Sequence, residues 1–229
     1  MAPFGASRAG LMSVAGIDIP DSVVDNFESA RSDPAGPYES GETIADYYRG
    51  DTASFERSQT GVIEDSWSLR WTGTAGDEIW SIPGDGLPNY PAATETTKHL
   101  LKEQNVWRPW VVRASESGIS DLLGYGARIS AEDDEFILWR LDSGGLTELD
   151  SSTAGVTQDT LYWIEISPPE SGGSVTVERY NVDESTLERG SLIDSLSSND
   201  DNHTDCTGHG FRSSSADSDA TMADAVTIV

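Results

Sequence analysis

Two of the three histidines and the only cysteine of this 229-residue chain fall within seven residues, as His203-x2-Cys206-x2-His209. A thiolate and two imidazoles suit Zn2+, and Asp205 stands beside them as a fourth donor. Zinc sites usually draw their ligands from two separated segments, and an i, i+3, i+6 set in one loop closes awkwardly. The competing reading is a polar loop ahead of the Gly210 strand. Asp200, Asp201 and Asp205, or Asp217 and Asp219, offer hard oxygens for Ca2+. No D-x-[DN]-x-[DN]-G loop accompanies them, and acids this numerous cluster by chance. The expectation is no resident cofactor, with Zn2+ or Ca2+ at these loops as the candidates to test.

Seven tryptophans carry the second kind of chemistry, because an indole face stacks on the apolar face of a sugar ring. Trp67, Trp71, Trp139 and Trp163 sit inside alternating runs and read as core. Trp80, Trp107 and Trp110 flank the insertion Pro83–Asn105 and read as more exposed. Together with Tyr90, in Gly86-Leu-Pro-Asn-Tyr-Pro91, they form the candidate ligand-binding set, with packing beneath the insertion as the competing reading. No G-x-S-x-G elbow and no phosphate-cradling glycine loop is present, so nucleophilic and nucleotide chemistry lack support. Asn202-His-Thr204 is a glycosylation sequon that matters only if the chain is exported.

Short strands must position these residues. Trp67, Leu69 and Trp71 alternate with polar neighbours, the period of a half-buried strand. Val23–Phe27, Glu78–Ile82, Trp110–Ala114, Leu123–Ile129, Glu135–Leu141, Thr160–Ser167, Val175–Asn181, Gly208–Ser213 and Ala223–Val229 continue the series. Asp142-Ser-Gly-Gly145 and Ser171-Gly-Gly-Ser174 read as hairpin turns. Thr96–Asn105 is the best helical candidate, and Ser195–Asp205 reads as a loop. Strands at this spacing predict an all-β, two-sheet antiparallel sandwich preceded by an extended N-terminal arm.

Composition narrows the partners. Lys+Arg number 14 and Asp+Glu 40, for a formal net charge of −26. Nucleic-acid binding needs clustered cations and is not expected. No apolar run approaches the ~20 residues of a bilayer span. Only Lys98 and Lys102 are lysines; the remaining cations are arginines, and this balance points to a protein of molar salt. One cysteine allows no internal disulfide, and the first residues lack the apolar stretch of a secretory signal.

Asp25-Asn-Phe27, Asp46-Tyr-Tyr-Arg-Gly-Asp-Thr-Ala-Ser-Phe55 and Ser66-Trp-Ser-Leu69 resemble the opening strands of concanavalin A-like (laminin G-like) jelly rolls. Leu161-Tyr-Trp-Ile-Glu-Ile166, Ser174-Val-Thr-Val-Glu-Arg-Tyr180, Gly210-Phe-Arg-Ser213 and Ala223-Asp-Ala-Val-Thr-Ile228 resemble later strands of that fold. The resemblance implies a jelly-roll domain over residues 23–229 and an anchoring arm over residues 1–22. The arm, Phe4-Gly-Ala-Ser-Arg-Ala-Gly-Leu11, is similar to the start of virion structural proteins of haloarchaeal tailed viruses, with Phe4, Arg8 and Leu11 as candidate anchor residues. It implies a virion protein made in the host cytoplasm, a capsid decoration, turret or tail fibre. Its expected partners are other virion proteins, further copies of itself as a homo-oligomer, and a host surface glycan or glycoprotein. The Glu-x-Asp-x-(x)-Glu strand of jelly-roll glucanases is missing, and Glu132-Asp-Asp-Glu135 lies in a turn, so an enzyme is not expected. An exported cell-surface lectin and a jelly-roll glycoside hydrolase remain the alternatives.

The charge makes its own prediction. At ~1 M salt the Debye length is ~3 Å and the self-repulsion of the surface nearly vanishes, whereas dilute buffer restores it. Dialysis from molar KCl to low salt is expected to unfold the chain, read as loss of the β-sheet circular dichroism signal.

Overall fold

The computed structural model describes residues 23–28, 36–59, 63, 67–73, 76–102, 109–153, 155–213 and 220–229. The expected anchor residues Phe4, Arg8 and Leu11, and Trp107, lie outside them. Fifteen strands are present among the described residues: β1 (Val23–Asp25), β2 (Arg49–Gly50), β3 (Phe55–Ser58), β4 (Ser68–Trp71), β5 (Glu78–Ser81), β6 (Thr97–Lys102), β7 (Pro109–Ala114), β8 (Gly124–Ser130), β9 (Glu135–Asp142), β10 (Gly145–Ser152), β11 (Leu161–Ser167), β12 (Val175–Val182), β13 (Arg189–Ser198), β14 (His209–Ser213) and β15 (Ala220–Ile228). Two short 3-10 turns, Ile44–Asp46 and Thr52–Ser54, are the helical structure among the described residues.

The strands form an antiparallel two-sheet jelly-roll sandwich. One sheet runs β13-β12-β11-β6-β15-β4-β3, with β1 also paired to β15; the other runs β10-β9-β8-β7-β14-β5-β2. Alternation decides which side chains enter the space between them. Tyr162, Ile164 and Ile166 of β11 point inward, as do Tyr125, Ala127 and Ile129 of β8 and Phe136 and Leu138 of β9. Trp71, Leu69 and Phe211 join the same core.

The expected helix at Thr96–Asn105 is instead the central strand β6, hydrogen-bonded to β11 and β15. Thr97, His99 and Leu101 are buried, and Lys98 caps the Trp163 ring at 4.5 Å on the other face. Two waiting strand edges outweigh a weak helical preference over so short a segment. The expected loop at Ser195–Asp205 begins inside strand β13, and β10 is a further strand that alternation did not reveal. Both are sheet edges whose residues are largely exposed, so neither carries an apolar period. Aspartates blunt these edges: Ser197 N–H donates to Asp150 at 3.1 Å, and Ser195 N–H to Asp194 at 2.9 Å.

One glycine is set by its surroundings. Gly124 opens β8 at φ +135°, and a Cβ there would lie 2.0 Å from the Arg113 carbonyl oxygen. Gly124→Ala combines a backbone outlier with a collision. It is expected to cost ~2–4 kcal/mol and to lower Tm by about 5–10 °C in a thermal melt at molar salt.

Candidate functional site

The outward face of the seven-stranded sheet gathers the side chains best suited to a ligand. Register places Glu78 beside Arg212, Arg212 beside Trp110, Trp110 beside Arg128 and Arg128 beside Ile137 in one row across β5, β14, β7, β8 and β9. The next row runs Trp80, Gly210, Val112, Gly126 and Trp139. The two glycines leave room for the large side chains beside them. A Cβ on Gly210 would lie 2.9 Å from Trp80 Cβ, and one on Gly126 3.3 Å from Val112 Cγ2.

The rings of Trp110 and Trp139 lie 5.4 Å apart at 33°. The Arg128 guanidinium sits 5.9 Å from the first and 6.0 Å from the second, and that of Arg212 5.8 Å from Trp110. Each arginine also holds a carboxylate. Arg128 donates to Glu135 and Arg212 to Glu78, both at 2.5 Å. Burial pushes the Glu78 carboxyl above its ordinary range, against the pull of Arg212. Trp139, Arg128 and Arg212 remain partly exposed.

The structure redistributes the residues that sequence reasoning selected. Trp80 and Trp110 do share this face, but they are only 4% and 2% exposed, which corrects the expectation that they stand free at a rim. Trp80 is locked beneath residues 115–123, its Nε1 donating to Gly118 O at 2.7 Å. Trp80 packs with Ile82, Val112, Ala114, Leu122 and Leu141 in a second buried cluster, and Trp110 lies against Trp139 and between two arginines. Tyr90 belongs elsewhere: it packs against the main core and its hydroxyl meets Ser81 Oγ at 2.8 Å. Arg128, Arg212 and Trp139 were not selected. Parity places each opposite the inward residues of its own strand, Ala127 and Ile129, Phe211, and Phe136 and Leu138, so Trp139, expected in the core, is partly exposed on the outer face.

The expected metal set does not assemble. His203 Nε2 faces Asp142 at 3.0 Å, Asp205 accepts from Ser115 and Ser117, and Cys206 is buried with its thiol directed at the His203 carbonyl. Desolvation pushes the Cys206 thiol up to about 12. His209 points into the core on the inner face of β14. Alternate residues of a strand face opposite ways and the loop before it fans out, so the four donors find four separate partners. Among the described residues no three His, Cys, Asp or Glu side chains converge as a metal site. For the calcium candidates, Asp200 is occupied by Tyr125 and Arg140 and Asp201 by Gly172 N–H; Asp217 and Asp219 lie outside the described residues.

His209 has a different task. The Tyr48 hydroxyl donates to Asp25 at 2.7 Å, so His209 Nε2, 2.7 Å from that oxygen, supplies the proton of their contact when Asp25 is ionised. Tyr38 and the Phe27 N–H donate to the same carboxylate. Arg113, fully buried beside His209, gives its guanidinium to the carbonyls of Glu95, Ala92 and Cys206, tying two loops to β7.

A half-open groove lies elsewhere, beside β3, lined by Glu39, Glu42, Glu56, Arg57 and Trp67 among others. Its arginine lies 3.9 Å from the Tyr38 ring and 4.7 Å from the Trp67 ring, so one face of that indole is already taken.

No family model and no curated protein matches the chain. Solved structures do resemble it in fold. A carbohydrate-binding module, CBM66 from Bacillus subtilis, is 10% identical over 79% of this chain and 90% of its own, with a TM-score of 0.46. A legume lectin-like domain from Entamoeba histolytica is 10% identical over 81% and 91%, with a TM-score of 0.49. The exoplasmic/lumenal domain of VIP36 is 13% identical over 80% and 82%, at 0.45.

The core cluster predicts a pH dependence. Burial lowers the His209 imidazole to about 3 and drives His99 down as well, so their contribution is complete above ~6.5 and is lost as pH falls. Desolvation raises Asp25 to about 6, so its contribution runs the other way, present below ~3.9 and lost as pH rises through 6. Two imidazoles outweigh one carboxyl. The urea midpoint is expected to fall from pH 7 to pH 5. His209→Gln should flatten that slope by about 1.4 kcal/mol per pH unit, one proton's worth.

Proposed function

We propose that the chain is a non-catalytic glycan-binding module displayed on the particle of a haloarchaeal tailed virus, as a capsid decoration, turret or tail fibre. The observation that carries the glycan reading is the Trp110–Arg128–Trp139 cluster on an otherwise acidic molecule. Aromatic rings and rigid hydrogen-bond donors side by side suit a sugar, whose ring has an apolar face and an oxygen-rich rim. The virion reading is supported by the small-residue arm and by an acid-rich, lysine-poor composition fitted to brine. Several weak glycan contacts on a repeated subunit would gain avidity.

The hydrolase alternative finds no support on this face. Glycoside hydrolysis needs two carboxyl groups ~5–9.5 Å apart. Glu78 and Glu135 are four strands apart in the sheet, ~19 Å at ~4.8 Å per strand, and each is paired to an arginine. The carboxyl most strongly raised, Asp25, is sealed in the core. An exported lectin would use the same surface and differs only in where the protein is found.

Intrinsic tryptophan fluorescence during titration with a glycan panel in molar KCl tests the binding reading. Trp139→Ala is expected to weaken the responding glycan about tenfold, measured well below the variant's own Tm because the ring also packs against the second buried cluster. A flat response to every glycan would remove this function. Mass spectrometry of purified particles tests the location: the chain should be present in many copies, and deleting residues 2–16 should abolish incorporation.

A further inference from the structure

The same face contains an imbalance that a neutral sugar does not explain. Trp110 Nε1, Trp139 Nε1, Arg128 Nε and Arg212 Nε are all buried and have no hydrogen-bond partner among the described residues. Indole and guanidinium nitrogens only donate. Every unpartnered side-chain atom on this face among the described residues is therefore a donor. Buried donors left unpaired are costly, and four in two adjacent rows favour acceptor atoms brought by a ligand.

Charge says what kind of acceptor. The centre of the cluster is Arg128, which touches both indoles and whose side chain is 13% exposed. Its carboxylate partner, Glu135, is 36% exposed at the start of β9 and can turn into water at small cost. An incoming oxoanion can take its place without changing the charge at the guanidinium. A guanidinium fork also binds planar or tetrahedral oxoanions through two N–H groups at once, and Nε is the donor that Glu135 leaves unused.

We infer that the Trp110–Arg128–Trp139 cluster recognises the oxoanion of an acidic glycan, a carboxylate or a sulfate ester, which replaces Glu135 on Arg128. This rests on the glycan-binding reading and names its substrate class. Trp139 offers its partly exposed ring to the sugar, Arg128 takes the oxoanion as Glu135 turns away and opens the approach to the indole N–H groups, and Arg212, held by Glu78, keeps Trp110 in place.

The test titrates the full chain in molar KCl, where repulsion between the acidic protein and an acidic polymer is screened to ~3 Å. The probes are dextran, polygalacturonate and dextran sulfate, followed by tryptophan fluorescence and calorimetry. At least one acidic polymer is expected to bind about tenfold more tightly than dextran, and Arg128→Gln to remove that preference. Glu135→Gln should tighten acidic binding severalfold, since it removes the internal competitor; this substitution at a surface position also guards against misfolding of the arginine variant. Dextran binding as tightly as both acidic polymers would overturn the oxoanion inference and leave the glycan reading standing. Acidic binding indifferent to both substitutions would place the polymer elsewhere and overturn the inference. No binding by any of the three would overturn both.

Discussion

The seven-stranded sheet buries apolar side chains on both faces, and most of the molecule's local choices answer to that constraint. Its inner side chains meet the other sheet in the main core, while Trp80, Val112, Ala114 and Leu141 form a second buried layer with Leu122 on its outer side. A strand that contributes to two cores cannot show the simple polar and apolar alternation of a solvent-facing sheet. Its outward charges must then be neutralised in place. Arg128 and Arg212 sit 5.8–6.0 Å from the indole centroids and pair with Glu135 and Glu78, so the face is polar at its surface and aromatic beneath.

The inner face accepts polar groups only where each finds a defined partner. Asp25 collects two phenols and a backbone N–H, and Arg113 collects three carbonyls. Removing either charge's partners would leave a buried ion uncompensated, which costs far more than an exposed pair contributes. These contacts hold together loops far apart in sequence, the segments around Tyr38, Tyr48, Ala92 and Cys206. Buried polar bonds thus tie these loops into the core, beside the apolar packing of the two sheets.

Much of the architecture was legible. The hairpins at Asp142–Gly145 and Ser171–Ser174 join β9 to β10 and β11 to β12, because a Gly-Gly pair next to an alternating run has few other uses. Misreadings have specific causes. Thr97–Lys102 became a strand because β11 and β15 flank it, a fact that no local window contains. His203, Asp205, Cys206 and His209 are neighbours in sequence but enter or precede a strand whose pleat separates them. For the ligand face, indoles were the right residue type, yet exposure was assigned to Trp80 and Trp110 when Trp139 is the one near the surface.

The sequence by itself determined the all-β class, the charge of the surface and the kinds of side chain available for binding. These follow from composition and from the two-residue period of a strand, which are local properties. Only the tertiary structure decided that Arg212, Trp110, Arg128 and Trp139 lie side by side. Their strands are separated by up to a hundred residues and brought together by the order β9-β8-β7-β14. Sheet order is set by which edges and faces bury one another best, a comparison made across the whole chain. A binding face assembled from four strands exists only after that comparison has been made.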